Sequence, residues 1–293
     1  MTDSARAPID LLHQGNRRSV GCYLVETGDG LALFDCGPTT ALPALRAGLS
    51  ERGHDLGEIR HLLLSHIHFD HAGAAGALVR ENPSLLVHVS AIGAPHLVDP
   101  TRLEASARRL YGDTFDHLWG ELVPIPETNI RIVGDSVVGL ECFPSPGHAS
   151  HHVSMLHEDG TLYVGDSAGV RVTPARFVLA PTPPPDIDLE AWEETLRETE
   201  RREPARLALT HFGVFEDVEQ HLARMRETLH TWSERVAHGM DEATFVAAGR
   251  ADCLASDPED VEAYDHAAPY SQCFLGLERY WSKRQEATST PRA

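Results

Sequence analysis

The sequence has little positive charge and no cluster of basic residues. Its 25 lysines and arginines are outnumbered by 44 aspartates and glutamates, which gives a formal net charge of −19 at pH 7. The basic residues come in pairs at most, such as Arg17-Arg18 and Arg201-Arg202. A protein that binds nucleic acid needs a basic surface to neutralise phosphates. We therefore expect no nucleic-acid partner and interpret the acidity as a contribution to solubility.

The sequence also lacks the apolar segments that enter membranes. No apolar stretch approaches the ~20 residues of a membrane span, and the stretch Met1 to Pro8 has no apolar core of a signal peptide. The five cysteines show no Cys-x-x-Cys spacing. Cys22 and Cys36 lie in apolar strand patterns typical of small buried side chains. These features predict a cytoplasmic protein without membrane contact.

What the sequence does contain is a dense group of metal-ligand side chains at residues 66–71, His-Ile-His-Phe-Asp-His. The group follows the apolar run 62–64, which predicts a strand buried on both faces. His66 and His68 point the same way in an extended chain, and Asp70 is placed to cap a following helix. Imidazole and carboxylate are usual ligands of zinc and similar ions. One segment can therefore serve two neighbouring metals.

The motif resembles the His-x-His-x-Asp-His motif of the metallo-β-lactamase superfamily. That family needs three more ligands, each at the end of a later strand. The chain has candidates in the same order, because His148, Asp166 and His211 each follow an apolar run. An earlier stretch, residues 33–37, is similar to the family's strand that ends in Asp-x-Gly. The resemblance covers about residues 19–212.

The resemblance implies a role for each of these side chains. One metal is held by His66, His68 and His148, the second by Asp70, His71 and His211, and Asp166 bridges the two. Asp35 is implied to orient a ligand histidine. The expected cofactors are two divalent metal ions per chain, with zinc preferred and iron or manganese as alternatives.

The implied fold is α/β, a four-layer αββα metallo-β-lactamase sandwich with two mixed sheets. We interpret residues 1–285 as one such domain, with an inserted helical segment at about 96–120 and extra C-terminal helices at about 215–285. Residues 286–293 are polar and predict a disordered tail. The apolar stripes of the C-terminal helices are expected to pack on the body or on the second subunit of a homodimer.

The inserted segment carries apolar and aromatic residues at helical spacing. Two interpretations stay open. The stripe either packs on the sheet, or Tyr111, Phe115 and Trp119 line an apolar substrate pocket beside the metals.

Other histidines carry weaker signals. His151 and His152 closely follow the ligand at 148 and are interpreted as polar neighbours, one of which can support the site. His88, in an apolar strand, is interpreted as a hydrogen-bonded core residue. His13 shows no usable spacing.

Charge explains the chemistry that such a site favours. Two dications bring four positive charges, and Asp70, Asp166 and a bridging hydroxide remove three, so the buried site keeps about +1. This charge stabilises an oxyanion and lowers the pKa of the bound water toward ~7. The bridging hydroxide is then the nucleophile, and Asp70 is placed to orient it or to carry its proton.

The predicted reaction is hydrolysis of a small carboxylic ester, lactone or thioester. The region around the motif looks most like acyl-homoserine lactonases, although Gly169 stands where those enzymes often carry a tyrosine. Glyoxalase II-like thioesterases are the other related branch. The alternatives are a mononuclear iron oxygenase similar to persulfide dioxygenases, a phosphodiesterase of the same fold, and a non-catalytic binding protein. The complete set of seven ligands argues against the last.

Overall fold

The computed structural model describes residues 6–257 and 261–289, with side chains described through residue 286. In this part of the chain the strands form two six-stranded sheets. The first sheet has the spatial order β1 (Ile9–Asp10), β2 (Gly21–Thr27), β3 (Gly30–Phe34), β4 (Ile59–Leu63), β5 (Leu86–Val89) and β6 (Ile130–Ile132). The second has the order β12 (Gly213–Phe215), β11 (Arg206–Leu209), β10 (Thr161–Gly165), β9 (Val153–Leu156), β8 (Leu140–Pro144) and β7 (Ser136–Val137).

Strand direction brings the predicted ligand segments to one edge of each sheet. In the first sheet β3 and β4 are parallel neighbours, so the loops after Phe34 and Leu63 start side by side. In the second sheet β10 and β11 are parallel, and β8 runs in the same direction as β10 because both are antiparallel to β9. The loops that follow β8, β10 and β11 therefore leave the sheet at a common edge.

The two sheets pack face to face around an apolar layer. Phe34, Leu63, Met155 and Ala208 meet there, each with no exposed surface. Strand β4 is buried on both faces, as its run of leucines predicts. The layer fixes the distance between the two ligand-bearing edges, because neither sheet can slide without opening a void.

Helices cover the outer faces of the sheets, so the molecule is the predicted αββα sandwich. They are α1 (Leu42–Glu51), α2 (Phe69–Ala72), α3 (Ala75–Glu81), α4 (Ala94–Val98), α5 (Thr101–Tyr111), α6 (Phe115–Trp119), α7 (Leu189–Arg201), α8 (Val218–Ala237), α9 (Glu242–Ser256), α10 (Val261–Ala267) and α11 (Tyr270–Ser289). The predicted inserted segment corresponds to α4–α6. None of the helices in the described ranges has the length and apolar character needed to cross a membrane.

The C-terminal helices pack on the body of their own chain. Trp232, Phe245 and Tyr270 form an apolar cluster with the segment 170–179. The homodimer stays a prediction. Helix α11 continues to Ser289, so a disordered tail from residue 286 is wrong for 286–289, and the rest of that predicted tail, 290–293, lies outside the described residues.

Two hydrogen bonds fasten these helices to loops at the sandwich edge. Ser19 Oγ donates to His266 O at 3.0 Å, and Thr182 Oγ1 donates to Cys273 O at 2.9 Å. Helix α11 approaches the second loop so closely that a Cβ at Gly276 would lie 1.9 Å from Thr182 O. Only glycine fits at this contact.

Candidate metal centre

The segment 66–71 follows strand β4 at the edge where the loops of the two sheets meet. Residues 65–68 are irregular, and helix α2 begins at Phe69 with His68 as the residue before it. The expectation that Asp70 caps this helix is wrong, because the chain turns helical one residue earlier and Asp70 lies inside the first turn. Its carboxylate faces His71 and His211 instead. The turn thus separates the first histidine pair from Asp70 and His71.

The first set of ligand atoms belongs to His66, His68 and His148. One ligand atom from each lies within 4.8 Å of the other two. His68 Nδ1 and His148 Nε2 are 2.9 Å apart. His66 and His148 are buried and His68 is partly buried. Three imidazoles from two sheets therefore converge on one point.

The second set belongs to Asp70, His71 and His211, again within 4.8 Å. His211 Nε2 lies 3.2 Å from His71 Nε2 and 3.4 Å from Asp70 Oδ2. The two histidines are almost fully buried. This set combines two imidazoles with one carboxylate, a mixture typical of zinc and iron sites.

Asp166 lies between the two sets. Its Oδ2 is 3.3 Å from His148 Nε2, and its Oδ1 is 3.3 Å from His71 Nε2. The residue before it, Gly165, has φ +48°, and a Cβ there would lie 2.5 Å from Ser65. The strand can turn at this point only because glycine leaves room for the facing loop. The structure thus brings all seven predicted ligands together with Asp166 in the central position.

The arrangement of hydrogen bonds fits a cation. His71, His148 and His211 each use Nδ1 to donate elsewhere, so each keeps its Nε2 for the centre. Among the described residues, His66 Nε2 and Asp166 Oδ1 are buried without a hydrogen-bond partner. Buried polar atoms normally have partners. Lone pairs that face one another in this way are the pattern expected around metal ions.

Burial and charge set the protonation of the site. Burial lowers the pKa of His66 and of His68, with neighbouring imidazoles adding to the effect, so both are neutral donors. Burial would also lower the pKa of His71, but the carboxylates of Asp166, Asp35 and Asp70 hold it well above its usual value. Without metal His71 therefore keeps a proton on Nε2, and a metal ion bound there would displace it.

Asp35 lies behind the ligand histidines and hydrogen-bonds one of them, which is the role that the resemblance implies. It has no exposed surface. His71 Nδ1 donates to its Oδ2 at 2.7 Å, Thr210 Oγ1 donates to the same oxygen at 2.6 Å, and Ser65 N donates to Oδ1 at 2.9 Å. Since Ser65 Oγ also donates to Asp35, it is free to accept from His66 Nδ1, 3.0 Å away. One carboxylate thus orients ligands of both metal sets.

Backbone carbonyls orient two further ligands. His148 Nδ1 donates to Pro181 O at 2.8 Å, and His211 Nδ1 donates to Ser19 O at 2.6 Å. These carbonyls belong to the loops that Thr182 and Ser19 fasten to the C-terminal helices. The C-terminal extension therefore supports the orientation of a ligand in each set.

His152 is a supporting residue that the sequence pattern did not single out from His151. It is 1% exposed, and its Nε2 accepts from Asp166 N at 3.2 Å while its Nδ1 contacts Ser145 Oγ at 2.7 Å. It thus fixes the backbone of the central aspartate. His151 lies nearer the surface, with its ring stacked 6.0 Å from that of His66.

Aromatic residues of the insert form a wall beside Asp70. Trp119 contacts Phe69 and Tyr111, with ring centroids 5.7 and 5.4 Å apart, and the Asp70 carboxylate adds to burial in raising the pKa of Tyr111 to about 12. Phe115 has no exposed surface and packs beneath Phe69. Of the three predicted pocket residues, Phe115 therefore supports the wall from inside rather than lining it.

The geometry defines an αββα sandwich that brings together, at one edge, two adjoining sets of side chains that could hold metal ions. A sequence model of the metallo-beta-lactamase superfamily matches residues 15–211. The chain therefore belongs to the metallo-beta-lactamase superfamily, and its fold agrees: a protein of Thermus thermophilus described as a metallo-beta-lactamase family protein, TTHA1429, superposes with a TM-score of 0.64 over 94% of this chain and 91% of its own, at 21% identity.

Sequence relatives are distant. The metallo-beta-lactamase fold-containing protein ST1585 of Sulfurisphaera tokodaii is 28% identical over 58% of this chain and 67% of its own length. An N-acyl homoserine lactonase of Bacillus thuringiensis is 28% identical over 47% and 58%. The thioesterase pkgB of Emericella nidulans is 30% identical over 50% and 34%. The matches span between about a third and two thirds of these relatives.

Proposed function

We propose that the protein is a metal-dependent hydrolase that cleaves a small carboxylic ester, lactone or thioester with two divalent metal ions, zinc foremost. The observation that carries this proposal is the position of Asp166, whose two oxygens face His148 of one ligand set and His71 of the other. A carboxylate so placed serves a two-metal centre.

Bound metals would supply Lewis acidity and, between them, a hydroxide nucleophile at neutral pH. The protein's own contribution is orientation and proton handling. Asp35, Pro181 O and Ser19 O hold the ligand imidazoles. Asp70 is more exposed than the other carboxylate of the centre, 24% against 6% for Asp166. It is therefore the group placed to pass a proton between the centre and the substrate side.

The substrate class follows from the surroundings of the centre. The net charge of −19 disfavours polyanions by long-range repulsion, and the wall of Phe69, Tyr111 and Trp119 suits an acyl group. The lactonase and thioesterase relatives support acyl transfer to water. Gly169, with φ +86° and a Cβ position only 2.6 Å from Met225, leaves no room for a tyrosine, so lactones of acyl-homoserine are not favoured over other esters.

We also propose a cytoplasmic location and a small-molecule substrate without nucleic-acid or membrane partners. The five cysteines, all in the described part of the chain, are buried and form no disulfide, which suits a reducing compartment.

The test combines metal content with a substrate panel. The protein is purified without added metal, and its metals are measured by elemental analysis. Lactones, thioesters, carboxylic esters and phosphodiesters are then assayed with the wild-type protein and with Asp166→Ala. The matched control is Asp113→Ala, which removes an exposed carboxylate of the insert. We expect about two metals per chain and turnover confined to the carboxylic substrates.

Other outcomes would replace this proposal. One iron per chain with oxygen consumption on persulfides would indicate the oxygenase, and activity on phosphodiesters alone would indicate that alternative. A full metal load without turnover of any substrate would favour a binding protein.

A further inference from the structure

His13 lies beside the metal centre although its sequence position gives no sign of this. The residues on either side of it, Leu12 and Gln14, have φ of 48° and 55°. Two left-handed residues in three are unusual outside glycine and indicate a conformation imposed by the surroundings. Gln14 Nε2 donates to His117 O at 2.8 Å, which ties this turn to the inserted segment.

The turn presses the His13 ring against Trp119. The two rings stack with centroids 5.3 Å apart and an interplanar angle of 14°. Trp119 also contacts Phe69, the residue before Asp70. Burial lowers the pKa of His13, and the Asp70 carboxylate is near enough to oppose this effect. The stacked pair therefore adjoins the second ligand set.

Each ring of the pair carries an unsatisfied polar atom. His13 is 8% exposed and Trp119 is 9% exposed. Among the described residues, His13 Nδ1 and Trp119 Nε1 are buried and have no hydrogen-bond partner. Buried polar atoms normally have one. An indole N–H is only a donor, whereas an imidazole nitrogen donates or accepts, so the group that completes the pair must offer an acceptor.

We propose that the His13–Trp119 pair is a substrate subsite that hydrogen-bonds a second carbonyl oxygen on the acyl part of the substrate. This inference rests on the proposed function, since it adds a specificity element to the same centre. A neutral carbonyl suffices as the acceptor, because the indole N–H donates a hydrogen bond without carrying a charge. The subsite makes the wall selective for acyl groups with a polar atom within the chain rather than for plain alkyl chains.

Paired substrates test the subsite. For each active class, an acyl chain with an internal keto or amide carbonyl is compared with an alkyl chain of equal length. Trp119→Phe and His13→Phe keep an aromatic ring and remove the polar nitrogen, and Leu110→Ala, at an exposed position of the same insert, is the control. We expect kcat/KM for the carbonyl-bearing member to fall about ten- to hundredfold, with a clearly smaller loss on the alkyl member and with metal content unchanged.

Equal losses on both members would show a structural role only, and no loss on either would overturn the subsite. A second readout is independent of turnover. The indole N–H resonance of Trp119, identified among four tryptophans by its absence in Trp119→Phe, is followed while N-hexylacetamide is added. We expect a downfield shift in the wild-type protein and a smaller one in His13→Phe. An unmoved resonance would reject the subsite, whereas a shift in a protein that hydrolyses no ester would reject only the proposed function.

Discussion

Replacement of Asp35 by asparagine should weaken one metal set more than the other. Asparagine keeps the shape of the side chain but replaces one acceptor oxygen with an NH2 group. In the structure Oδ2 receives His71 Nδ1 and Thr210 Oγ1, while Oδ1 receives Ser65 N. Wherever the NH2 group points, it faces at least one buried donor.

The size of the effect follows from those contacts. A buried donor left without a partner costs roughly 1–3 kcal/mol, and hydrogen bonds to a charged group contribute about 1.5–3 kcal/mol. We therefore expect Asp35→Asn to lower the free energy of unfolding of the metal-free protein by about 3 kcal/mol. Loss of an orienting partner typically costs ~10–100-fold in metal affinity, and it should fall on the set containing His71.

Urea unfolding and chelator competition measure both quantities. A chelator with about ten- to hundredfold lower metal affinity than the wild type requires should remove the metal of the second set from Asp35→Asn. The metal of the first set should stay bound. Thr210→Val removes a single donor and leaves the carboxylate in place, so it should show a smaller effect. An Asp35→Asn protein with wild-type urea midpoint and two equally tight metals would refute the assigned role of Asp35.

Three further predictions concern ligands, substrate and pH. Asp166→Ala and His68→Ala should each reduce turnover by orders of magnitude with unchanged circular dichroism; near-wild-type turnover in either variant at full metal load would count against the site. The rate should rise with acyl length by up to ~0.8 kcal/mol of activation free energy for each methylene buried, and Tyr111→Ala should flatten this profile; a profile already flat in the wild type would contradict the apolar wall. Burial, opposed by a hydrogen bond to Ala168 O, lowers the pKa of His221 to about 4. The folded state thus favours neutral His221. Its contribution to the free energy of unfolding is therefore complete above pH ~6.5 and is lost between pH ~6.5 and ~4, by up to about 3 kcal/mol. Urea unfolding at pH 7 and pH 5 should show a larger loss of stability in the wild type than in His221→Gln.

The convergence of the seven predicted ligands could be anticipated from the sequence, because local spacing and strand ends determine where these side chains lie. The segment 66–71 carries its own pattern, and His148, Asp166 and His211 each follow a recognisable apolar strand. Parallel strand directions then bring the loops to one edge. The fold and the ligand positions thus depend on features that are contiguous in the chain.

Apart from Asp35, the supporting residues could not be predicted, because their roles arise from contacts between distant segments. His13 meets Trp119 across 106 positions of sequence, and nothing in the neighbourhood of either indicates the other. His152 and His151 are adjacent and chemically equal in the sequence, and only backbone geometry at Asp166 distinguishes them. Phe115 has the spacing of a wall residue but faces inward, since helical periodicity identifies an apolar face without saying what covers it.

The attachment of the C-terminal helices has a consequence for the order of events during synthesis. All seven ligands have been made once residue 211 is added, but the carbonyl oxygens of His266 and Cys273, which hold the Ser19 and Thr182 loops, come near the end of the described chain. Domains generally fold as units as the chain emerges. In a growing chain, all the predicted ligands are therefore present before the C-terminal helices can fix the loops that orient His148 and His211. We expect stable metal loading only after the chain has been extended past Cys273.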